Sequence, residues 1–135
     1  MGLDLGKKTI GVAIGDPAGL IAQPLTTIRR STLNADIEAL LSIIEEHGVE
    51  SIVVGLPVNM DGTMGARGRG AIKFVDLLKT RTGAEVLTWD ERLSTVAVTR
   101  VLLDGDVSRG KRKQVVDKMA AAYILQGWLD SKGPR

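Results

Sequence analysis

The chain has 135 residues and a net charge of +2, and 44% of its residues are hydrophobic. This length and composition predict one globular domain over residues 1–135. The sequence has no cysteine, which excludes disulfides and thiolate chemistry, and His47 is its only histidine. No apolar run reaches membrane-spanning length, and no signal peptide precedes the first strand pattern. We therefore expect a cytoplasmic protein without membrane partners.

The chain begins with a pattern typical of three consecutive strands. An apolar run reaches Asp4, turns at residues 6–8 and returns over residues 10–14, and a third extended segment covers residues 20–28. Pro24 predicts that this third strand lies at a sheet edge. Aspartate is unfavourable inside strands and costly to bury unpaired. Asp4 therefore has either a structural partner or a functional role.

The rest of the chain alternates between helical and extended patterns. Helices are predicted over residues 34–47, 66–82, 94–103 and 113–130, strands over 51–54 and 85–88, and a flexible basic loop over 104–113. Asn34 is the expected N-cap of the first helix. Three antiparallel strands followed by βα units predict an α/β fold, with one five-stranded mixed sheet flanked by helices.

Several carboxylates follow strands that end at the same predicted sheet edge. Asp4 ends the first strand, Asp90 and Glu91 follow the fifth, and Asp117 lies on the last helix. Clustered carboxylates repel one another unless a hard cation such as Mg²⁺ or Mn²⁺ neutralises them. One or two such ions can support phosphodiester hydrolysis without a histidine. Each acid also has an ordinary interpretation, as a backbone-bonded strand end, a helix cap or a solvated helix residue.

Basic residues lie close to these acids in the sequence. Four come immediately before the helix that carries Asp117, and two lie in the hairpin after Asp4. All six could hold phosphates; a solvated charge run is the alternative. His47 is interpreted as a helix-end residue without a catalytic role. The predicted substrate contacts are Lys7, Lys8, Asn59, Arg92, Arg109, Lys111, Arg112 and Lys113.

Together these stretches resemble the YqgF/RuvX family of the ribonuclease H-like superfamily, which also contains the RuvC junction resolvases. The resemblance covers nearly the whole chain and follows the family's order. It rests on GLDLG at residues 2–6, IGVA at 10–13, VVGLP at 53–57, NMDGT at 59–63, DERLST at 90–95, VSRGKRK at 107–113 and VDKMAA at 116–121.

The resemblance implies a ribonuclease H-like fold and a metal-dependent nuclease with Asp4, Glu91 and Asp117 as its acidic ligands. It favours Glu91 over Asp90. Members of the family are associated with maturation of precursor 16S ribosomal RNA, so we expect an endonuclease acting on structured RNA. Two departures stand out. The hairpin reads Lys8-Thr9 where relatives often have Lys-Arg, and relatives have more residues before the first strand, so we expect a start upstream of Met1.

The residues are also compatible with functions other than an RNA nuclease. A Holliday-junction resolvase would use the same chemistry on branched DNA and would need a symmetric dimer. A non-catalytic RNA- or ribosome-binding factor is a second alternative. A sugar kinase or ATPase is a third, but it needs two such domains. The expected partners are precursor ribosomal RNA or branched DNA and ribosomal particles, with the protein as a monomer or homodimer.

Overall fold

The computed structural model describes residues 1–57, 61–91 and 109–132, with side chains from Asp117 onward in the last of these segments. Its strands are β1 (Gly2–Leu5), β2 (Thr9–Gly15), β3 (Ala22–Arg29), β4 (Ser51–Leu56) and β5 (Glu85–Asp90). Its helices are α1 (Leu33–His47), α2 (Ala66–Arg81) and α3 (Arg109–Ser131). The helix predicted over residues 94–103 lies outside the described residues.

The five strands form one mixed sheet in the order β3-β2-β1-β4-β5. The pairs β1–β2 and β2–β3 are antiparallel, whereas β1–β4 and β4–β5 are parallel. This confirms the predicted meander followed by βα units. β3 is an edge strand, as Pro24 indicated, and Pro24 pairs with Ala13 where the β2–β3 register shifts. A proline is tolerated there because an edge strand leaves part of its ladder unpaired.

Helices α1 and α2 cover one face of the sheet, which we call the α1–α2 face. Its core consists of large side chains, among them Leu3, Ile10, Leu40, Phe74 and Leu78. Each of these is 1% exposed or less. Helix α1 begins one residue earlier than predicted, and Thr32 rather than Asn34 is its N-cap. The Thr32 hydroxyl accepts a hydrogen bond of 3.1 Å from the Ala35 amide, which satisfies an otherwise unpaired donor of the first turn.

Helix α3 covers the opposite face, which we call the α3 face. It approaches the sheet closely because the residues between them are small, as at Gly2. A Cβ atom on Gly2 would lie 2.6 Å from the Ala121 carbonyl oxygen and 2.7 Å from Leu125 Cβ. Residues with side chains packed in this layer include Ala13, Val53, Ala120, Ala121, Ile124 and Leu125. Among the described helices, none has both the length and the apolar character needed to cross a bilayer.

The structure corrects the start of this last helix. The prediction of a basic loop reaching Lys113 is wrong, because α3 already begins at Arg109. Arginine, lysine and glutamine are among the better helix formers, so the segment from Arg109 to Gln114 extends the helix despite Gly110. The basic segment therefore forms the first turns of the helix that carries Asp117.

Candidate active site

Asp4 lies on the middle strand of the sheet, between two strands that place glycines next to it. In the β1–β2 ladder Asp4 is paired with Gly11. In the parallel β1–β4 ladder Leu3 is paired with Val54, so the same register places Asp4 beside Gly55. Asp4 is only 2% exposed. The buried carboxylate is therefore flanked on both sides by backbone without side chains, which lets other parts of the chain pack closely against these strands on the α3 face.

The alternation of β1 determines which face Asp4 occupies. Leu3 and Leu5 belong to the core of the α1–α2 face. Because successive strand residues point to opposite sides, Gly2 and Asp4 lie on the α3 face. The pairing of Gly2 with Ala13, a residue of the α3 layer, gives the same assignment. Asp4 therefore lies under the helix that carries Asp117.

Helix α3 brings Asp117 to this position. A Cβ atom on Gly11 would collide with the Asp117 carbonyl oxygen and carbon, so the helix backbone lies directly against β2 there. The Asp117 side chain is 7% exposed, and its Oδ2 atom accepts a hydrogen bond from the Thr9 hydroxyl. A hydrogen bond to a charged group is stronger than a neutral one and fixes the orientation of the carboxylate. Thr9 thus holds Asp117 from the neighbouring strand.

Glu91 reaches the same face from β5. Trp89 packs in the α3 layer, whereas Leu56, the partner of Asp90, packs against the core of the opposite face. By strand alternation Asp90 belongs to the α1–α2 side, and Glu91 returns to the α3 side. The Glu91 side chain lies over Gly55, with Oε1 3.1 Å and Cγ 3.2 Å from the position that a Cβ on Gly55 would occupy. Glu91 therefore lies on the same face as Asp4, and Asp90 lies on the opposite face; the choice of Glu91 as the site residue remains a prediction.

The three predicted acids thus converge on one face at the carboxyl ends of β1 and β5. Asp117 covers Gly11, and Glu91 covers Gly55. These glycines flank Asp4 on its two sides. Within the described segments, however, no three carboxylate, imidazole or thiolate groups form a set that could hold a metal ion. The backbone brings the acids together, and the side chains do not form a closed ligand set in this conformation.

The predicted substrate contacts have different outcomes. Lys7 and Lys8 are exposed in the β1–β2 turn. Asn59 and Arg92 lie outside the described residues. Four more lie in the turns of α3 that precede Asp117, namely Arg109, Lys111, Arg112 and Lys113. Their side chains are outside the described part of the structure. All eight roles remain predictions.

Three residues of this site were missed from the sequence. In the sequence Thr9 stands out only as the loss of a basic residue, although its hydroxyl donates a hydrogen bond to Asp117. Gly11 and Gly55 belong to the motifs IGVA and VVGLP, which give them no separate role, and the structure places them under Asp117 and Glu91. Strand pairing gives the signal for Gly11, since a hairpin turning at residues 6–8 pairs Asp4 with Gly11. No local pattern indicates the contact between Thr9 and Asp117.

The mixed five-stranded sheet with helices on both faces is a ribonuclease H-like fold. Solved structures share this fold. The "T. thermophilus RuvC in complex with Holliday junction substrate" matches with a TM-score of 0.61 at 13% identity, over 97% of this chain and 92% of that one. The yeast mitochondrial Holliday junction resolvase matches with a TM-score of 0.50 at 13% identity, over 95% of this chain and 76% of the other. The predicted fold class is confirmed.

The chain belongs to the RuvX family, whose model, described as "Holliday junction resolvase", matches residues 1–131. A relative from Myxococcus xanthus is 56% identical over 134 residues, which cover 99% of this chain and 89% of the relative. One from Desulforamulus reducens is 56% identical over 131 residues, covering 97% and 96%. Both are named "Putative pre-16S rRNA nuclease". The predicted family is confirmed, and these names agree with the prediction of a nuclease.

Proposed function

We propose that this protein is a divalent-metal-dependent endonuclease that hydrolyses phosphodiester bonds in structured RNA, with precursor 16S ribosomal RNA as its substrate. The convergence of Asp4, Glu91 and Asp117 on the α3 face carries the proposal. The names of the relatives from Myxococcus xanthus and Desulforamulus reducens support the substrate class. A cytoplasmic location and association with ribosomal particles go with this proposal.

The donor atoms of the three acids fit magnesium or manganese. All are carboxylate oxygens, which hard divalent cations prefer. Two of the acids, Asp4 and Asp117, are more than nine-tenths buried, where a cation offsets the repulsion between neighbouring negative charges. One or two bound ions would activate water and stabilise the leaving oxygen. Ligation requires the side chains to turn toward one another, since among the described residues they do not form a metal-binding set.

The chain itself supplies the positions of the acids and the charge that holds the substrate. Asp4 is fixed by the central strand, and Asp117 is oriented by the Thr9 hydroxyl. The helix turns that carry Arg109, Lys111, Arg112 and Lys113 come directly before Asp117. Lysine and arginine bind phosphates without regard to base sequence. These basic residues would hold the RNA backbone next to the acids, with Asn59 and Arg92 as further contacts.

The test compares Asp4→Asn with Asp76→Asn, a matched variant that removes an exposed acid from α2. Both proteins are assayed on a defined RNA precursor with Mg²⁺, with Mn²⁺ and with EDTA. We expect cleavage by the wild type and by Asp76→Asn that depends on the metal, and no cleavage by Asp4→Asn. Calorimetric titration with Mn²⁺ should show weaker metal binding for Asp4→Asn, and unchanged binding for Asp76→Asn, relative to the wild type. Full activity of Asp4→Asn would refute the mechanism.

The family description favours a second candidate, a resolvase of Holliday junctions. A resolvase makes matched cuts in two strands, which requires a symmetric dimer. A side-by-side assay on the RNA precursor and on four-way-junction DNA, combined with sedimentation at the working concentration, separates the two functions. A monomer that cuts only RNA supports the first candidate, and a dimer that cuts only the junction supports the second. RNA binding without cleavage under any divalent ion would indicate a non-catalytic factor.

A further inference from the structure

A basic pocket lies on the other side of β1 from the three acids. It has a volume of about 590 Å³ and opens beside Leu5 and Gly6, the residues that follow Asp4. Five basic side chains and one acidic side chain line it: Lys7, Lys8, Arg29, Arg30, Arg67 and Asp36. They come from the β1–β2 turn, the end of β3 and the first turns of α1 and α2. Three separate parts of the chain thus direct positive charge into one concavity.

The single acid of this pocket is already neutralised by a basic residue with a structural role. The Arg30 Nε atom donates to Asp36 Oδ2 at 3.3 Å, and Arg30 Nη1 donates to the Gly6 carbonyl at 2.8 Å. The Arg30 guanidinium also lies 5.7 Å from the centre of the Phe74 ring. Asp36 further accepts the Ser31 amide at 2.9 Å. Arg30 and Asp36 therefore form the floor of the pocket, with no net charge between them.

The other four basic residues retain their charge. Lys7, Lys8, Arg29 and Arg67 are all exposed. Within the part of the chain that the structure describes, none of them forms an ion pair with a carboxylate. Arg67 makes only a long contact of 3.5 Å from Nη2 to the Leu5 carbonyl. Four like charges around one open cavity repel one another, so an anion of several charges would be strongly favoured there.

The location of the pocket indicates what kind of anion it binds. Leu5 lines the pocket and Asp4 belongs to the acidic site, and these consecutive residues point to opposite faces of the sheet. Both sites open at the carboxyl end of β1, with the Lys7–Lys8 turn between them. A polymer of phosphates lying across this turn would contact both sites, whereas a small anion would reach only one. The open form of the cavity also suits a chain that enters and leaves it.

We propose that the basic pocket is a second phosphate-binding site, in which Arg29 and Arg67, with Lys7 and Lys8, hold the nucleic-acid backbone on the far side of the β1–β2 turn from the acids. The identity of the polymer rests on the proposed function. Binding in the pocket is independent of base sequence and does not require a divalent metal.

The test measures binding in EDTA, so that it does not depend on cleavage. The probes are a fluorescently labelled RNA hairpin with a single-stranded extension, a second RNA of unrelated sequence, and a four-way DNA junction. The double variant Arg29→Gln/Arg67→Gln is compared with Lys73→Gln/Lys79→Gln, which removes the same charge from exposed positions of α2 outside the pocket. Anisotropy titrations at several salt concentrations give the affinity and its dependence on salt.

The pocket variant should bind both RNAs severalfold more weakly than the control. Its salt slope should fall by about 1.4, since each lost phosphate contact on a single strand removes about 0.7. The charge-conserving variant Arg29→Lys/Arg67→Lys should restore most of this slope, which separates charge from any loss of the Arg67–Leu5 contact. Thermal unfolding checks that each variant is folded.

Equal affinity and equal slope for the pocket variant and the control would overturn the proposal, as would a wild type that binds none of the probes. A loss of affinity for the four-way junction alone would assign the pocket to branched DNA and would contradict the proposal that it binds RNA. Absence of cleavage with every metal, together with the expected binding results, would refute the nuclease function and leave the pocket in place.

Discussion

The two faces of the sheet are formed by alternate residues of the same strands and differ in side-chain size and charge. On β1, Leu3 and Leu5 enter the large-residue core under α1 and α2, while Gly2 and Asp4 lie under α3. The first face carries most of the bulky aliphatic packing and Phe74. The second has glycines, alanines and two buried acids. The large-residue core and the candidate site are thus separated by the two-residue period of the strand.

A buried aspartate on each side of the sheet shows the same contrast. Asp36 is 2% exposed, and its oxygens accept bonds from the Ser31 amide and from Arg30, which ties β3 to the start of α1. Asp117 is bonded to the Thr9 hydroxyl and shares its face with Asp4 and Glu91. Asp36 has a cation beside it and stabilises the fold. The acids of the α3 face come from three separate parts of the chain, and the proposed function assigns them a bound metal cation.

The prediction with the largest expected effect removes packing from the α1–α2 face. Leu78 is fully buried there, and Leu78→Ala should lower the free energy of unfolding by about 2–5 kcal/mol, because a cavity remains in the core. Chemical denaturation measures this change. Cleavage per folded molecule should stay at the wild-type level below the transition. A variant that stays folded but cleaves poorly would show that the two faces are not separate.

Changing Gly11→Ala tests the α3 face. The new Cβ would collide with the Asp117 backbone, so α3 has to shift or tilt. Overpacking of this kind costs about 1–3 kcal/mol, and because Asp117 moves with the helix, cleavage should fall much more than stability. Gly15→Ala in the same strand is the control, since its Cβ would meet nothing within 4 Å. Equal cleavage by the two variants would contradict the close contact between α3 and β2.

The sequence allowed the prediction of the sheet, because strand periodicity is a local property. The three acids remain a prediction, drawn from the strand ends at Asp4 and Glu91, from Asp117 on the last helix and from the family resemblance. Glu91 could have been chosen over Asp90 from the residues alone if β5 had been extended from Thr88 to Asp90, since Trp89 then fixes the face. The start of α3 was missed because Gly110 and the charges around it are typical of a loop, whereas the arginine, lysine and glutamine residues of the segment favour a helix.

The contacts that cross between distant elements were not predictable in this way. Thr9 and Asp117 are 108 positions apart, and their bond depends on where α3 crosses β2. Arg29 and Arg67 line the same basic pocket although they belong to different elements that are distant in the sequence. Such contacts depend on where each helix packs on the sheet. Side-chain periodicity shows which face of a helix is buried, but not where along the strands the helix lies.

The prediction with the smallest expected effect concerns Thr9, which lies at the rim of the α3 face and contributes one hydrogen bond to Asp117. Thr9→Val keeps the shape of the side chain but removes the donor to Asp117. Loss of this bond should cost about 1.5 kcal/mol of stability, and a partner that orients a metal-binding carboxylate typically contributes about tenfold to metal affinity or activity. The concentration of Mn²⁺ needed for half-maximal cleavage should therefore rise. A Thr9 that only filled space would leave this concentration unchanged.

Two variants complete this test. Thr9→Ser retains the hydroxyl and should restore both cleavage and the metal requirement, although it loses a methyl group. Thr26→Val removes a hydroxyl from another half-buried strand position and should change neither. If Thr9→Ser performed no better than Thr9→Val, the methyl group rather than the hydrogen bond would be the important part of Thr9. In that case only the contact of α3 with Gly11 would position Asp117. Close backbone packing would then determine the geometry of the α3 face, whereas side-chain packing stabilises the opposite face.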